Sequence, residues 1–159
     1  MNEREQNKRV VILRGIPGSG KSSYARNVFP GGLVVSADHF FMDADGNYRF
    51  DIKKLHKAHG QCLYRFARAL EESVGLVIVD NTNTRAREMR PYLNIANENG
   101  YSVSIICLRV DPKVAFERGI HGVSRETTEE MAKRLENPLP SHWPPQQMVS
   151  TEDLTENKT

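Results

Sequence analysis

Arg9-Val10-Val11-Ile12-Leu13-Arg14-Gly15-Ile16-Pro17-Gly18-Ser19-Gly20-Lys21-Ser22 is the stretch on which the fold turns. Its first part, Arg9 to Leu13, is a short apolar run that stops near a glycine, the pattern of a strand buried on both faces. The part from Gly15 to Ser22 fits G-x-x-x-x-G-K-[ST] at every position. Glycines allow successive backbone N–H groups to turn inward around a phosphate. The following segment, Ser23 to Val28, is compatible with helix until Pro30-Gly31-Gly32 breaks it. A helix N-terminus there adds the positive end of its dipole. The mechanism therefore finds strand, loop and helix in the required order, which favours it over an ordinary glycine-rich turn. Gly15, Pro17, Gly18, Ser19, Gly20, Lys21, Ser22 and Ser23 are the expected nucleotide contacts. In this reading Lys21 reaches the β- and γ-phosphates of ATP and the Ser22 hydroxyl ligates Mg²⁺.

Further strands and helices alternate outward from this point. Leu33-Val34-Val35-Ser36 and Leu76-Val77-Ile78-Val79-Asp80 read as buried strands, and Ser102 to Leu108 as a fourth. Between them, Asp51 is the expected cap of a long helix. Its apolar face is read as Ile52, Leu55, His59, Cys62, Leu63, Phe66 and Leu70, with Gly75 as its stop. A second helix carries Ala86, Met89, Leu93 and Ala96, with an expected kink at Pro91 and an end at Gly100. Asp111-Pro112 opens another helix that ends at Gly119. A last one spans about Arg125 to Glu136, with Ser124 as cap and a competing capping box from Thr127 to Glu130. Alternation of this kind gives an α/β domain with a parallel sheet of about four strands and helices on both faces.

Composition narrows the classes. The chain has 159 residues, 38% of them hydrophobic and 26% charged, which fits one globular domain with a real core. No apolar run approaches the ~20 residues of a membrane helix, so no membrane partner is expected. Met1-Asn2-Glu3-Arg4-Glu5 carries no apolar signal core, and the expected compartment is the cytoplasm. Cys62 and Cys107 lack motif spacing and are read as buried thiols. His39, His56, His59 and His142 form no ligand spacing. The net charge of +2 announces nothing, but Arg49, Lys53, Lys54, Lys57, Arg65 and Arg68 face Asp51 alone over one short block. That block reads either as a solvated helix face or as a phosphate-attracting surface.

Three further places carry chemistry. Asp80 ends an apolar strand, where a phosphate-loop protein places its metal-side carboxylate; the plainer alternative is a strand-end turn residue. Asp38 follows the second strand, at a carboxyl end where open α/β sheets bind ligands. A carboxylate there can take the proton of an attacking hydroxyl, or simply cap a turn. Arg118-Gly119-Ile120-His121-Gly122-Val123-Ser124-Arg125 sets two arginines around a glycine-flanked link. Such a link can move and bring an arginine over transferring phosphates, or it can be an exposed loop. Trp143, among prolines, is expected to pack the tail on the domain rather than to bind a base.

Taken together, Arg14 to Ser23, Ser36-Ala37-Asp38-His39-Phe40-Phe41, Asp80-Asn81-Thr82-Asn83 and His121-Gly122-Val123 with Met131 and Arg134 resemble the P-loop kinases related to the 5′-hydroxyl polynucleotide kinases. The small kinase-like domains of certain ubiquitin-ligase-binding proteins are the nearest likeness. The resemblance runs from about Arg9 to Glu136. It implies a P-loop NTPase-type parallel sheet in the order 2-3-1-4 with a helical lid. It also implies Asp38 as general base, Arg118 and Arg125 as catalytic lid arginines beside Lys21, and Ser22 and Asp80 as metal ligands. His39, Phe40 and Phe41 stand where the phage-type enzyme has a second Asp, an aromatic and a phosphate-holding Arg. Phe40 and Phe41 are therefore candidates to stack on a base or to line a smaller acceptor pocket. The expected organisation is an N-terminal arm (1–8), a kinase domain (9–136, lid about 116–126) and a Pro-rich, then polar tail (137–159) whose last ten residues are disordered. The expected activity is ATP-dependent transfer to a hydroxyl, first of all the 5′-hydroxyl of a single-stranded nucleic acid end. A small-molecule or tRNA-linked hydroxyl, and a nucleotide-binding interaction module with little turnover, are the alternatives.

Overall fold

The computed structural model describes residues 7–119 and 122–151. Its core is one parallel sheet of five strands: β1 (Arg9–Arg14), β2 (Leu33–Val35), β3 (Leu76–Asp80), β4 (Ser102–Arg109) and β5 (Gln146–Ser150). The order is β2-β3-β1-β4-β5. Parallel central strands must be covered on both faces, and the alternation along β1 and β3 shows how. Val10, Ile12, Val77 and Val79 enter the larger apolar cluster with Phe66, Met89, Tyr92 and Leu93. Val11, Leu13 and Ile78 enter the smaller one with Ala25, Ile106 and Leu108.

The helices are α1 (Lys21–Val28), α2 (Leu55–Glu71), α3 (Ala86–Glu98), α4 (Pro112–Arg118) and α5 (Arg125–Leu135). Several boundaries follow the expected chemistry. Asp111 accepts a hydrogen bond from the Lys113 N–H and Pro112 opens α4. Ser124 caps α5 by accepting from the Thr127 N–H, so the box starting at Thr127 loses the competition. Gly100, at φ +74°, closes α3. There the Tyr101 N–H reaches Ala96 O and the Gly100 N–H reaches Asn97 O, the paired bonds that a left-handed residue makes possible. The helix continues through Pro91 to Glu98.

Other details depart from the sequence reading. Asp51 caps a short 3₁₀ turn, Ile52–Lys54, that precedes α2. The buried face of α2 is Ala58, Cys62, Phe66, Ala69 and Leu70. Ile52 is 72% exposed and His59 is exposed too, because the helix starts later and its apolar stripe runs through Ala58. It ends at Glu71, with Glu72 as its C-cap and Ser73 in the left-handed region, before Gly75 is reached.

The larger correction concerns the tail. The sheet has five strands, not four, because Gln146–Ser150 pairs in parallel with β4. Ser150 and the buried Thr151 are ordered parts of the fold, and residues 152–159 lie outside the described residues. Proline spacing hid this strand, whose residues, Gln-Gln-Met-Val-Ser, do not alternate polar with apolar. Trp143 packs on the main core and lies under the Arg90 guanidinium, 5.8 Å from its centroid.

Gln146 ties the added strand to the centre. Its Oε1 accepts a 2.7 Å bond from Nη1 of Arg14, a fully buried residue. A buried guanidinium that loses a partner keeps its desolvation cost. Gln146→Leu should therefore lower stability by about 1–3 kcal/mol. Chemical denaturation would measure it, and an unchanged midpoint would show that the bond contributes nothing net.

Candidate active site

The phosphate loop links β1 to α1, and its shape depends on close approaches that exclude side chains. Gly18 has φ +81°, and a Cβ there would lie 2.3 Å from Ala115 O. Gly20 caps α1 at φ 93°, and the first turn of that helix holds no acidic residue. No side chain of the helix's own first turn thus competes for its positive end, where an anion can bind. Ser19 is fully buried, and its N–H bonds Ile16 O at 3.0 Å.

Lys21 sits over this loop. Its Nζ donates to Gly15 O at 2.9 Å and Ile16 O at 3.1 Å. Burial pulls its pKa below the ordinary lysine value, while the charges of Asp80 and Asp38 act in the opposite direction. The lysine is thus within electrostatic reach of both carboxylates that the sequence singled out. Ser22 Oγ donates to Asp80 Oδ2 at 2.7 Å. Two hard oxygen donors from two elements meet there, a donor set that suits Mg²⁺. Ser23 lies on the exposed side of α1, where Arg26 Nη2 donates to its hydroxyl at 3.4 Å. Pro17 precedes Gly18 where the loop passes α4.

Asp38 occupies a 3₁₀ turn, Ala37–Phe41, at the carboxyl end of β2. Two side chains fix that turn. Ser36 Oγ accepts from the Asp38 N–H at 3.2 Å, and Asn81 Oδ1 accepts from the Ala37 N–H at 2.9 Å. Asn81 also donates to Cys62 Sγ at 3.6 Å. Burial raises the Cys62 thiol, and burial followed by the neighbouring Cys62 raises Tyr92. Both groups therefore remain protonated in the core. Cys62 and Cys107 are free and buried, in agreement with their place in apolar segments of the sequence.

Two features were not read from the sequence as parts of the site. One is the link after β3. Asn83 takes φ 46° and donates to Leu13 O at 2.8 Å. Thr82 O accepts from the Gly15 N–H at 3.0 Å. Arg14 donates to Asn83 O at 2.8 Å and to Thr84 O at 3.1 Å. The loop's entry and the segment after Asp80 are thereby joined. An Asn at a left-handed position was the available signal.

The other feature is a hairpin, in which Met42 bridges Tyr48 and the Arg49 N–H bonds Phe41 O at 2.8 Å. It returns Tyr48 to donate to Asp38 Oδ1 at 3.2 Å. Phe41, expected to face the acceptor, is instead buried in the main core, and Phe40 is half-buried against it. The 3₁₀ turn rotates the Phe41 ring inward.

The two arginines expected to belong to a lid differ in placement. Arg118, in the last turn of α4, donates from Nη1 to Gly18 O at 2.8 Å. Arg125 pairs with Glu129 at 3.1 Å on the exposed face of α5. Ile120 and His121 lie outside the described residues.

Strand order, loop and carboxylates together define a P-loop kinase-type domain. Residues 10–138 match the sequence family described as an AAA domain, and the chain belongs to that family. NEDD4-binding protein 2 of Homo sapiens is 37% identical over 134 residues, which are 80% of this chain and 8% of that protein. A protein of Acanthamoeba polyphaga mimivirus, bearing the name of a bifunctional polynucleotide phosphatase/kinase, is 28% identical over 82% of this chain and 24% of its own length. The chain thus spans under a quarter of either relative. Among solved structures, a gluconokinase from Sinorhizobium meliloti 1021 is similar in fold, with TM-score 0.58, 15% identity and coverage of 91% of this chain and 82% of that one. No helix among the described residues is long and apolar enough to cross a membrane.

Burial first, then the Asp38 charge and the hydrogen bond to it, push the Tyr48 phenol up to about 12. The protonated donor is thus held through neutral and mildly alkaline pH. A raised folded-state value means that this contribution is present below about 10, the unfolded value, and is lost as pH rises from there through about 12. Asp38→Asn should move one phenol step back toward 10 in a spectrophotometric titration. Tyr48→Phe should delete that same step. A curve unaltered by Asp38→Asn would uncouple the pair.

Proposed function

We propose that the protein is an ATP-dependent phosphotransferase that moves the γ-phosphate to a hydroxyl, with a polynucleotide 5′-hydroxyl as the favoured acceptor. The observation that carries the reading is geometric: Ser22 Oγ bonds Asp80 Oδ2 beside the loop that Lys21 covers, and Asp38 stands in the turn at the carboxyl end of β2, tied through Asn81 to the end of β3. A module that only bound nucleotide would need no carboxylate at Asp38.

In this reading Gly15, Pro17, Gly18, Ser19, Gly20, Lys21, Ser22 and Ser23 form the nucleotide site. Loop N–H groups and Lys21 hold the phosphates, which fixes the γ-phosphorus in line for attack. Ser22 and Asp80 would hold Mg²⁺. When bound, that ion supplies neutralisation of charge shared between the β- and γ-phosphates. Asp38 accepts the acceptor's proton as its oxygen bonds to the γ-phosphorus. The bond to the β–γ bridging oxygen breaks, and ADP leaves. Tyr48, donating to Asp38 Oδ1, fixes the orientation of the carboxylate. Residues 116–126 act as the lid, in which Arg118 is already at the loop and offsets charge during transfer. Arg125 reaches the phosphates only by giving up Glu129. The mimivirus relative's name supports the nucleic-acid acceptor, and so does the cationic block after Arg49. A cytoplasmic setting fits these substrates.

A γ-phosphate transfer screen over DNA, RNA and small hydroxyl compounds tests the reaction. ATP with Mg²⁺ should stabilise the fold by about 2.7 kcal/mol at 100-fold excess over its Kd. Lys21→Ala should remove most of that gain, and a melting scan with no ATP-dependent shift in the unaltered protein would sink the nucleotide site. Asp38→Asn should keep the ATP shift while transfer falls by roughly 10²–10⁴. Full turnover in that variant would remove Asp38 from the chemistry.

A further inference from the structure

The hairpin beside Asp38 carries more aromatic surface than its own packing uses. Phe41 is its buried root. Phe50 lies 5.1 Å from Phe41, centroid to centroid, and stacks on Tyr48 at 6.5 Å with only 15° between the planes. The same Tyr48 bonds Asp38 through its hydroxyl. Yet Phe50 stays 51% exposed, and Met42 and Ile52 close by in the chain are exposed as well. The wall is held in shape from below. Asp43 Oδ1 accepts from the N–H groups of Asp45 and Asn47, and Asp43 Oδ2 pairs with Arg49 at 3.1 Å. Directly after the wall, Lys53, Lys54 and Lys57 are all exposed.

We propose that Phe50, backed by Tyr48 and Phe41, is the platform on which the terminal base of a single-stranded nucleic acid stacks while its 5′-hydroxyl lies at Asp38. Lys53, Lys54 and Lys57 contact the phosphates that follow. This rests on the phosphotransferase reading of Asp38 and its favoured acceptor, and adds the residues that would hold that acceptor. Flat apolar rings beside a run of cations complement a strand that alternates rings with phosphates. A neutral sugar would use the ring but not the lysines. Tyr48 links the platform to the carboxylate, its ring stacked on Phe50 and its hydroxyl bonded to Asp38. Stacking also tolerates any base, which suits a site that accepts ends of many sequences.

Binding of a fluorescent 5′-hydroxyl oligonucleotide, measured by anisotropy beside the ATP melting shift, tests the platform. Phe50→Ala should weaken oligonucleotide binding roughly 5- to 150-fold, the range of base–aromatic stacking, and keep the ATP shift as proof of folding. Phe50→Trp should restore binding. Its emission should be quenched by an oligonucleotide with a 5′-terminal base and not by one whose terminal nucleotide is abasic. Changing Lys53, Lys54 and Lys57 to Glu should flatten the salt dependence by about 0.7 in log–log slope for each phosphate no longer neutralised. Equal binding by Phe50→Ala and the unaltered protein would overturn the proposal. So would an abasic end that weakens both equally. Transfer to a small hydroxyl compound with no oligonucleotide binding would overturn it too, and leave the phosphotransferase standing. Stacking without transfer to any hydroxyl would support the platform and remove the catalytic reading instead.

Discussion

Arg14 is the constraint around which the site is assembled. Its guanidinium is fully buried, and its three bonds go to uncharged oxygens: two carbonyls of the segment after β3 and the Gln146 amide of β5. Burial opposes the charge, and the pKa is lowered for that reason. Such a group is costly unless its donors are met. What it secures is registry among three chain segments that are far apart in sequence. The phosphate loop begins at the next residue, Asp80 lies just before the clamped carbonyls, and β5 closes the sheet's far edge.

The fold was legible where burial leaves a one-dimensional trace. Runs such as Val10 to Leu13 and Val77 to Val79 need apolar residues on both faces, and so they read as strands without help from contacts. Capping chemistry is equally local, which is why Asp111, Ser124 and Gly100 ended or began helices as the sequence suggested. β5 was not legible because it sits at the sheet's edge. Only some of its residues need be apolar there, and its place depends on Trp143 packing and on Gln146 meeting Arg14, both of which involve residues far back in the chain.

The site divides along the same line. The phosphate loop is a sequence pattern because its geometry is set by consecutive backbone groups. Gly18 stands where a Cβ would strike Ala115 O, so even its tertiary constraint leaves a visible glycine. The acceptor side is different. Tyr48 meets Asp38 across a hairpin, and Asn81 holds the Asp38 turn across the sheet. Neither partnership has a fixed spacing that a pattern could encode. Phe41 was misread for a related reason. The family resemblance puts Phe41 at the acceptor, where the phage-type enzyme has an Arg, but here a 3₁₀ turn sends Phe41 to the core.

The two halves of the site are consequently held with different stiffness. The nucleotide half is locked by the sheet, by Arg14 and by Asn83, whose left-handed backbone and bond to Leu13 O hold the loop's entry against β3. The acceptor half stands on a hairpin whose root is Phe41 and whose only bridge is Met42 with Tyr48 among the described residues. A rigid phosphate cradle suits a reaction whose catalysis is mostly positioning and charge stabilisation. The proposed ring platform, on a short hairpin, would suit an acceptor that varies from one end to the next. Asp38 joins the halves, since its turn is tied to β3 through Asn81 and its carboxylate to the hairpin through Tyr48. A change in the hairpin therefore reaches Asp38, the base of the proposed reaction, directly, while the loop between β1 and α1 stays fixed by the sheet.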